Sequence, residues 1–283
     1  METLRQISAV RSRVSGWRRQ GASIALVPTM GNLHRGHIRL VELALERAER
    51  IVVSIFVNPM QFGPSDDFAR YPRTLEKDCE ALARAGAHLV FAPDAGQMYP
   101  DGTERSSAVD VPRLDGILEG RSRPGHFRGV ATVVAKLFNI ATPDVAIFGQ
   151  KDYQQLLVIR QMTRDLCLPV EIVAAPIMRD DDGLALSSRN QYLSAKERGR
   201  APALHRCLLA ARQRIVDGDR HWQDIESAAL DSLASDGFEP DYFSIRSAED
   251  LGPPGIESRQ LVLVVAARLG TTRLIDNVIV DLK

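Results

Sequence analysis

Residues 51–57, IVVSIFV, form a nearly continuous β-branched and apolar run with no alternation between core-facing and water-facing positions. A strand of this kind is stable only with both faces covered, which makes it a parallel strand between layers of helix. Shorter runs of the same character stand at 24–27 (IALV), 89–92 (LVFA), 145–148 (VAIF) and 170–173 (VEIV). Helical patterns separate them. Ile38, Val41, Leu45 and Ala48 fall on one stripe, and Leu75, Cys79 and Leu82 point inward over 74–85. Further helices are expected over 130–141 and from Gly149-Gln150-Lys151-Asp152 through Leu166, and residues 3–20 read as an opening amphipathic helix. Strands spaced by helices of this length are βαβ units with right-handed crossovers, which build a parallel sheet.

Past Pro176 the character changes. Residues 178–190 (MRDDDGLALSSRN) are polar and turn-rich, Ser194 and Glu197 have capping-box spacing, and Pro202 starts or kinks a helix running to about Val216. A helix near 223–235 and three β-like runs, at 242–245, 261–267 and 274–280, complete the chain. The expected fold class is α/β: a Rossmann-like doubly wound parallel sheet of order 3-2-1-4-5, counted from the strand at 24–27, with a smaller C-terminal α+β domain. The domains are expected at 1–175 and 176–283, with a hinge near 176–186. Between 93 and 129 the pattern loosens, with one short strand expected at 108–111. Excursions of that length in a compact domain are usually functional. This one carries Arg121, Arg123, His126 and Arg128, a set that can clamp a carboxylate or polyphosphate or form a solvated basic loop.

Lys plus Arg and Asp plus Glu are both 36, so the formal charge is zero and any anion site must be local. Neither nucleic acid nor an anionic membrane is expected as a partner. Cys79, Cys167 and Cys207 lie far apart in apolar helical patterns, which argues for reduced core thiols and a cytoplasmic protein. The opening METLRQISAVRSRV lacks a signal-peptide type apolar run. The longest apolar runs, 51–57 and 261–267, fall far short of the ~20 residues that span a bilayer.

The local anion site is expected at 23–50. There a short strand runs into a glycine turn at Met30 and Gly31, then His34-Arg35-Gly36-His37, then a helix. The first turn of a helix leaves N–H groups unpaired and carries partial positive charge, so an anion docking there meets donors already aimed at it. Gly36 has no side chain to keep a ligand away, and His34 and His37, three apart, can project toward one point. The bland alternative is two surface histidines at a helix end. A zinc pair is disfavoured, since the Glu of H-E-x-x-H is missing. In the doubly wound order, the strand before Gly149 neighbours the strand before Met30. Lys151 would then face the His34 and His37 helix start, with Gln61 on the crevice's other side. Ser187-Ser188-Arg189 adds two hydroxyls and a guanidinium suited to phosphate oxygens. No P-loop and no G-x-G-x-x-G after the first strand occurs.

The tetrad 34–37 resembles the H-x-G-H motif of the nucleotidyltransferase superfamily, which includes class I aminoacyl-tRNA synthetases. Six blocks in order are more specific: PTMGNLHRGH (28–37), VSIFVNPMQF (53–62), YPRT (71–74), RPGHFRG (123–129), FGQKD (148–152) and DGLALSSRN (182–190). Together they make the whole chain similar to the pantothenate synthetases, the pantoate–β-alanine ligase family. The resemblance implies a cytoplasmic homodimer that joins pantoate to β-alanine, with ATP and Mg²⁺, through a pantoyl adenylate, releasing AMP and diphosphate. It implies that Met30, Gly31, Asn32, Leu33, His34, Arg35, Gly36 and His37 hold ATP, with His37 stabilising the transferring phosphate. Lys151 would bridge phosphate oxygens, and Leu186, Ser187, Ser188 and Arg189 would close from the second domain. Gly149, Gln150, Lys151, Asp152 and Met178 would contact the nucleotide. Gln61 and Gln155 would bind pantoate, and Gln61 would also meet β-alanine. Gln150 departs from relatives that carry Glu there. Asp78 and the run Asp180, Asp181, Asp182 are either Mg²⁺ neighbours or ordinary surface charge, with Mg²⁺ then held by nucleotide phosphates and water. Two other readings stay open, another H-x-G-H adenylyltransferase and a nucleotide-binding regulator without turnover.

Overall fold

The computed structural model describes residues 1–64, 67–256 and 258–282. Two compact units divide the chain: Met1–Gln150 with Gln154–Pro176, and Lys151–Tyr153 with Ile177–Lys283.

The first unit is built on a six-stranded sheet in the order β1-β4-β3-β2-β5-β6, every pairing parallel. Its strands are β1 (Glu2–Leu4), β2 (Ile24–Thr29), β3 (Arg50–Ile55), β4 (Leu89–Phe91), β5 (Val145–Gly149) and β6 (Glu171–Ala175). Helices α1 (Ile7–Arg19), α2 (Arg35–Leu45), α3 (Leu75–Arg84), α7 (His126–Ala141) and α8 (Tyr153–Asp165) separate them. Three short helices, α4 (Ala95–Met98), α5 (Pro112–Asp115) and α6 (Leu118–Ser122), lie between β4 and α7. Counted from β2, the order is the expected 3-2-1-4-5, with β1 added at the edge beside β4.

Strand periodicity explains the layering. Ala25, Val27, Ile51, Val53, Val90, Val145 and Ile147 share one sheet face and pack with Leu40, Val41 and Ala44 of α2 and Leu82 of α3. Fully burying a side chain of this size contributes roughly 1.5–3 kcal/mol, so the face fixes the register. Helix α7 is buried over most of its circumference, with Arg128 and Asn139 left exposed.

Several expectations are corrected. The opening helix starts at Ile7, because Glu2–Leu4 pairs with β4 as an edge strand. No strand forms at 108–111; the Val109 N–H donates instead to Thr132 Oγ1 at 2.9 Å. Leu45 ends α2 and is exposed, and Cys167 is an exposed thiol rather than a core one. The strand expected over 170–173 runs from Glu171 to Ala175.

The second unit holds α9 (Ala195–Arg200), α10 (Ala203–Val216), α11 (Trp222–Ser235) and an antiparallel sheet β7-β8-β9 (Glu239–Ser247, Gln260–Leu269, Thr272–Asp281). Ser194 and Glu197 form the expected capping box at α9, and Pro202 precedes α10. Leu204, Leu208 and Ile215 of α10 and Ile225 and Leu233 of α11 pack on Phe243, Leu263 and Val265 of the sheet.

Candidate active site

In the first unit the winding reverses at β2, which lies between β3 and β5. Its C-terminal end is where open α/β sheets bind ligands. Thr29, the last residue of β2, donates through Oγ1 to the Ser54 carbonyl at 2.7 Å and accepts the Gly31 N–H at 3.3 Å. The chain then turns through Gly31 at φ +82° and Asn32 at φ +50°. A Cβ at Gly31 would lie 3.1 Å from both Asp78 Oδ2 and Ile55 Cγ2, so the position takes glycine on two counts.

Asp78 of α3 holds this turn from below. It is 3 % exposed, and its carboxylate accepts the N–H groups of Asn32 at 2.9 Å and Leu33 at 2.8 Å, with Thr74 Oγ1 donating at 3.1 Å. It is therefore neither surface charge nor a carboxylate waiting for a metal. Its oxygens face donors, and charge-assisted bonds of this kind are the strong ones.

His34 is the N-cap of α2, and His37 completes a reciprocal capping box with it. His34 Nδ1 accepts the Gly36 N–H at 3.1 Å, and His37 Nδ1 accepts the His34 N–H at 3.3 Å. A ring nitrogen that accepts carries no proton, so each neutral imidazole has its proton on Nε2. The rings lie 4.1 Å apart, tilted by 39°. Two imidazole donors thus stand at the start of a helix whose dipole favours an anion.

Gln61 ends a short 3₁₀ turn, Pro59–Gln61, after β3. Its side chain is buried; Oε1 accepts from Asn58 Nδ2 at 3.0 Å, and Nε2 lies 3.3 Å from Met30 Sδ. Asn58 also donates to the Gly129 carbonyl at 3.0 Å and accepts from the Tyr99 hydroxyl at 2.7 Å. Burial pushes the Tyr99 phenol up to about 12, which keeps it a donor at neutral pH. Gly129 lets α7 abut this turn, since a Cβ there would lie 2.4 Å from the Met60 carbonyl oxygen and 2.6 Å from Gln61 Cα.

The glycine-rich basic loop has a definite role here. His126 Nδ1 donates to the Gln61 carbonyl at 2.8 Å, and Arg123 bonds His126 Nε2 at 3.1 Å and the same carbonyl at 3.4 Å. Arg128 pairs with Asp110 at 3.4 Å. Gln155 lies on α8, partly exposed. Its buried neighbour Gln154 braces the 114–119 backbone, accepting from Glu119 N and donating to the carbonyls of Leu114 and Ile117.

In the second unit, Met178 and Leu186 close a hairpin: Leu186 N–H donates to the Met178 carbonyl at 2.9 Å, and Arg179 bridges Ala185. Gly183 turns it at φ +93°. Arg198 reaches Asp180 at 3.0 Å and Asp182 at 2.5 Å, and its hydrogen bond holds the Asp182 carboxyl below its ordinary value. These acids brace the hairpin. Ser187 follows as the cap of a 3₁₀ helix, Ser188–Tyr192, its Oγ accepting the Arg189 N–H at 3.2 Å. Lys151 belongs to this unit too, its carbonyl accepting from Asn277 Nδ2 at 2.9 Å.

Met30 to His37 and Gln61 are thus joined in the first unit, and Lys151, Met178 and Leu186 to Arg189 lie in the second. Reading the sequence missed Asp78 as a brace, along with Asn58, Tyr99, Asp276 and Asn277. The asparagine before Pro59 is a cap signal; the partners of the others lie too far along the chain for spacing to show them.

Comparison with known proteins gives a consistent picture. A family model described as pantoate-beta-alanine ligase matches residues 2–279. The pantothenate synthetase of Nitrosococcus oceani is 55 % identical over 283 residues, covering 100 % of this chain and 99 % of that protein. The one from Alcanivorax borkumensis is 52 % identical over 278 residues, covering 98 % and 97 %. The crystal structure of the Thermus thermophilus pantothenate synthetase superposes with a TM-score of 0.91 at 45 % identity, covering 98 % of this chain and 99 % of its own. The Francisella tularensis pantoate-beta-alanine ligase, complexed with beta-gamma ATP and β-alanine, gives 0.80 at 32 % identity, covering 98 % and 97 %.

Proposed function

This chain belongs to the pantoate–β-alanine ligase family, and from that membership we propose that it joins pantoate to β-alanine through a pantoyl adenylate, with ATP as co-substrate. The protein is a ligase of pantothenate biosynthesis. The observation that carries the mechanism is the reciprocal cap at the start of α2, which leaves His34 and His37 with their protons on Nε2 beside the helix N-terminus.

In the first step a pantoate carboxylate oxygen attacks the α-phosphorus of ATP, and the bond to the bridging oxygen breaks with its electron pair leaving on diphosphate. The carboxylate is already ionised near neutral pH, so no general base is needed. Alignment and neutralisation of the charge growing on the α-phosphoryl oxygens are needed. The turn from Met30 to Gly36 cradles the triphosphate, and His37 donates to the transferring phosphoryl group. Lys151, Ser187, Ser188 and Arg189 neutralise phosphate charge on the nucleotide, and exclusion of water protects the acyl adenylate. Gly149, Gln150, Asp152 and Met178 contact the nucleoside.

Gln61, its amide oriented by Asn58, and Gln155 bind pantoate, and Gln61 also meets β-alanine. In the second step the β-alanine amine attacks the acyl carbon, the acyl–oxygen bond to AMP breaks, and the amine proton is lost as the amide forms. Mg²⁺ would enter with the nucleotide and neutralise phosphate charge. Among the described residues no group of three or more His, Cys, Asp or Glu could hold a metal, and the acids near the site face N–H or guanidinium donors, so nucleotide phosphates and water would be its ligands. We further propose a cytoplasmic, homodimeric enzyme. No helix among the described residues is long and apolar enough to cross a membrane.

The test is exchange of labelled diphosphate into ATP. Exchange should require pantoate and proceed without β-alanine, and AMP should accumulate only when both are present. A nucleotide-binding regulator supports no exchange, and a transferase that leaves AMP on its substrate releases none. Either result overturns the reading.

A further inference from the structure

Lys151–Tyr153 is a three-residue segment that packs with the second unit, although Gln150 and Gln154 on either side of it belong to the first. Hydrogen bonds at both ends fasten it there. Asn277 Nδ2 donates to the Lys151 carbonyl at 2.9 Å, and the Tyr153 hydroxyl donates to the Ala248 carbonyl at 2.7 Å. Asn277 lies on β9 opposite Val264 and is 2 % exposed. Burying an amide costs free energy unless it is hydrogen-bonded. The partner of this one is the main chain of the lysine assigned to the phosphates, 126 residues away in sequence.

The same stretch of β9 also holds the phosphate-contact hairpin. Asp276 accepts from both terminal guanidinium nitrogens of Arg179, at 2.6 and 2.9 Å, and from the Asn277 N–H at 2.7 Å. Arg179 also donates to the carbonyls of Asn277 at 3.3 Å and Gly183 at 3.0 Å. Arg179 sits next to Met178 at the base of the hairpin that leads into Ser187, Ser188 and Arg189. The main chain of Lys151 and the base of that hairpin are therefore registered to two adjacent residues of one strand. A lysine side chain has four rotatable bonds, so the placement of its ammonium depends on a fixed backbone, and sites work when such support holds them to about 0.5 Å.

We propose that Asn277 is a positioning residue for Lys151: by holding the Lys151 carbonyl on β9 it keeps the ammonium in register with Ser187, Ser188 and Arg189, and Tyr153 is the second clip of the same segment. The inference rests on the assignment of Lys151 to the phosphates. Removal of either clip leaves every phosphate-contacting side chain in place and loosens only the one that must be aimed.

A double-mutant cycle read by pantoate-dependent diphosphate exchange tests this in wild type, Asn277→Ala, Lys151→Ala and the double variant. Lys151→Ala should lower exchange by about 10²- to 10³-fold. Asn277→Ala should lower its maximal rate by about 10- to 100-fold with the KM for ATP changed by less than about threefold, since aim is lost and not contact. In the Lys151→Ala background the same substitution should change the residual rate by less than about threefold, because the group it positions is gone. Equal factors in the two backgrounds overturn the inference and leave the lysine assignment standing. A wild-type rate in Lys151→Ala overturns the assignment and the inference with it. If Asn277→Ala fails to fold by circular dichroism, Tyr153→Phe takes its place in the cycle, losing only a hydroxyl, with about a three- to tenfold loss expected and the same coupling. Wild-type exchange in whichever variant folds rejects the role.

Discussion

Replacing Asp78 by Asn tests whether the turn through Gly31 and Asn32 is held in shape by one carboxylate. The substitution keeps the size of the side chain and removes its charge. Oδ1 can still accept the Leu33 N–H, whereas the atom that accepted the Asn32 N–H at 2.9 Å and the Thr74 hydroxyl at 3.1 Å becomes a donor. Asn32 N–H then faces N–H in a site where the side chain is 3 % exposed. An unsatisfied buried donor of this kind costs about 1–3 kcal/mol, at the upper end when the lost partner is charged. A turn with Gly31 and Asn32 both at positive φ has little reason to persist without its brace. Its relaxation would shift the cap at His34 and the helix start with it, and displacements near 1 Å cost about 10²-fold in rate. The expected outcome is a folded protein, less stable by about 2 kcal/mol in urea, with pantoate-dependent diphosphate exchange down by about 30- to 100-fold. The assays are equilibrium urea unfolding and exchange on the same preparation. Exchange within about twofold of wild type, with the stability loss present, would refute the reasoning: the carboxylate would then hold the fold and not the site.

His37→Asn should preserve the cap, because the amide oxygen can replace Nδ1 in accepting the His34 N–H, while exchange falls by about 10²- to 10³-fold with the loss of the Nε2 donor; a circular dichroism spectrum unlike wild type would instead make the ring a structural element. Gly129→Ala pushes a methyl group into the Met60 backbone, so a loss of about 1–3 kcal/mol of stability is expected together with a raised KM for pantoate, measured by thermal unfolding and steady-state kinetics. Burial pushes the Asp276 carboxyl up, but His205 at 3.6 Å and the Arg179 fork outweigh it and hold it below its ordinary value. A depressed carboxyl contributes stability that is complete above its unfolded value of about 4 and is lost as pH falls through its lower folded value. Urea midpoints should therefore decline on acidification more steeply for wild type than for Asp276→Asn, and parallel profiles would remove the carboxylate from the acid limb.

The parallel sheet was legible because its strands are mostly apolar runs and its helices carry stripes, and the strand order counted from β2 is the doubly wound one such units were expected to take. β1 was not. Glu2–Leu4 has no apolar run and is a strand only because β4 offers it an edge. The converse failure at 108–111 has the same origin, since Val109 and Val111 look strand-like but Thr132 captures the backbone N–H that a ladder would need. At the site, the tetrad at 34–37 announced a helix start that can hold an anion, and the reciprocal cap between its histidines follows from their spacing once the helix begins there. What spacing cannot show is the support beneath. Asp78 lies 46 residues from Asn32, Arg179 lies 97 from Asp276, and the Lys151 carbonyl meets Asn277 across 126 residues. Each is a polar contact closed by the fold, with no periodicity of its own.

In the proposed mechanism pantoate's carboxylate attacks the α-phosphorus. Turnover of pantoate labelled with ¹⁸O in its carboxylate, with ATP and β-alanine, followed by mass spectrometry of the nucleotide and inorganic products, tests it directly. One labelled oxygen should appear in the phosphate of AMP and none in diphosphate. Label in diphosphate or in inorganic phosphate, or AMP without label, would contradict attack at that atom.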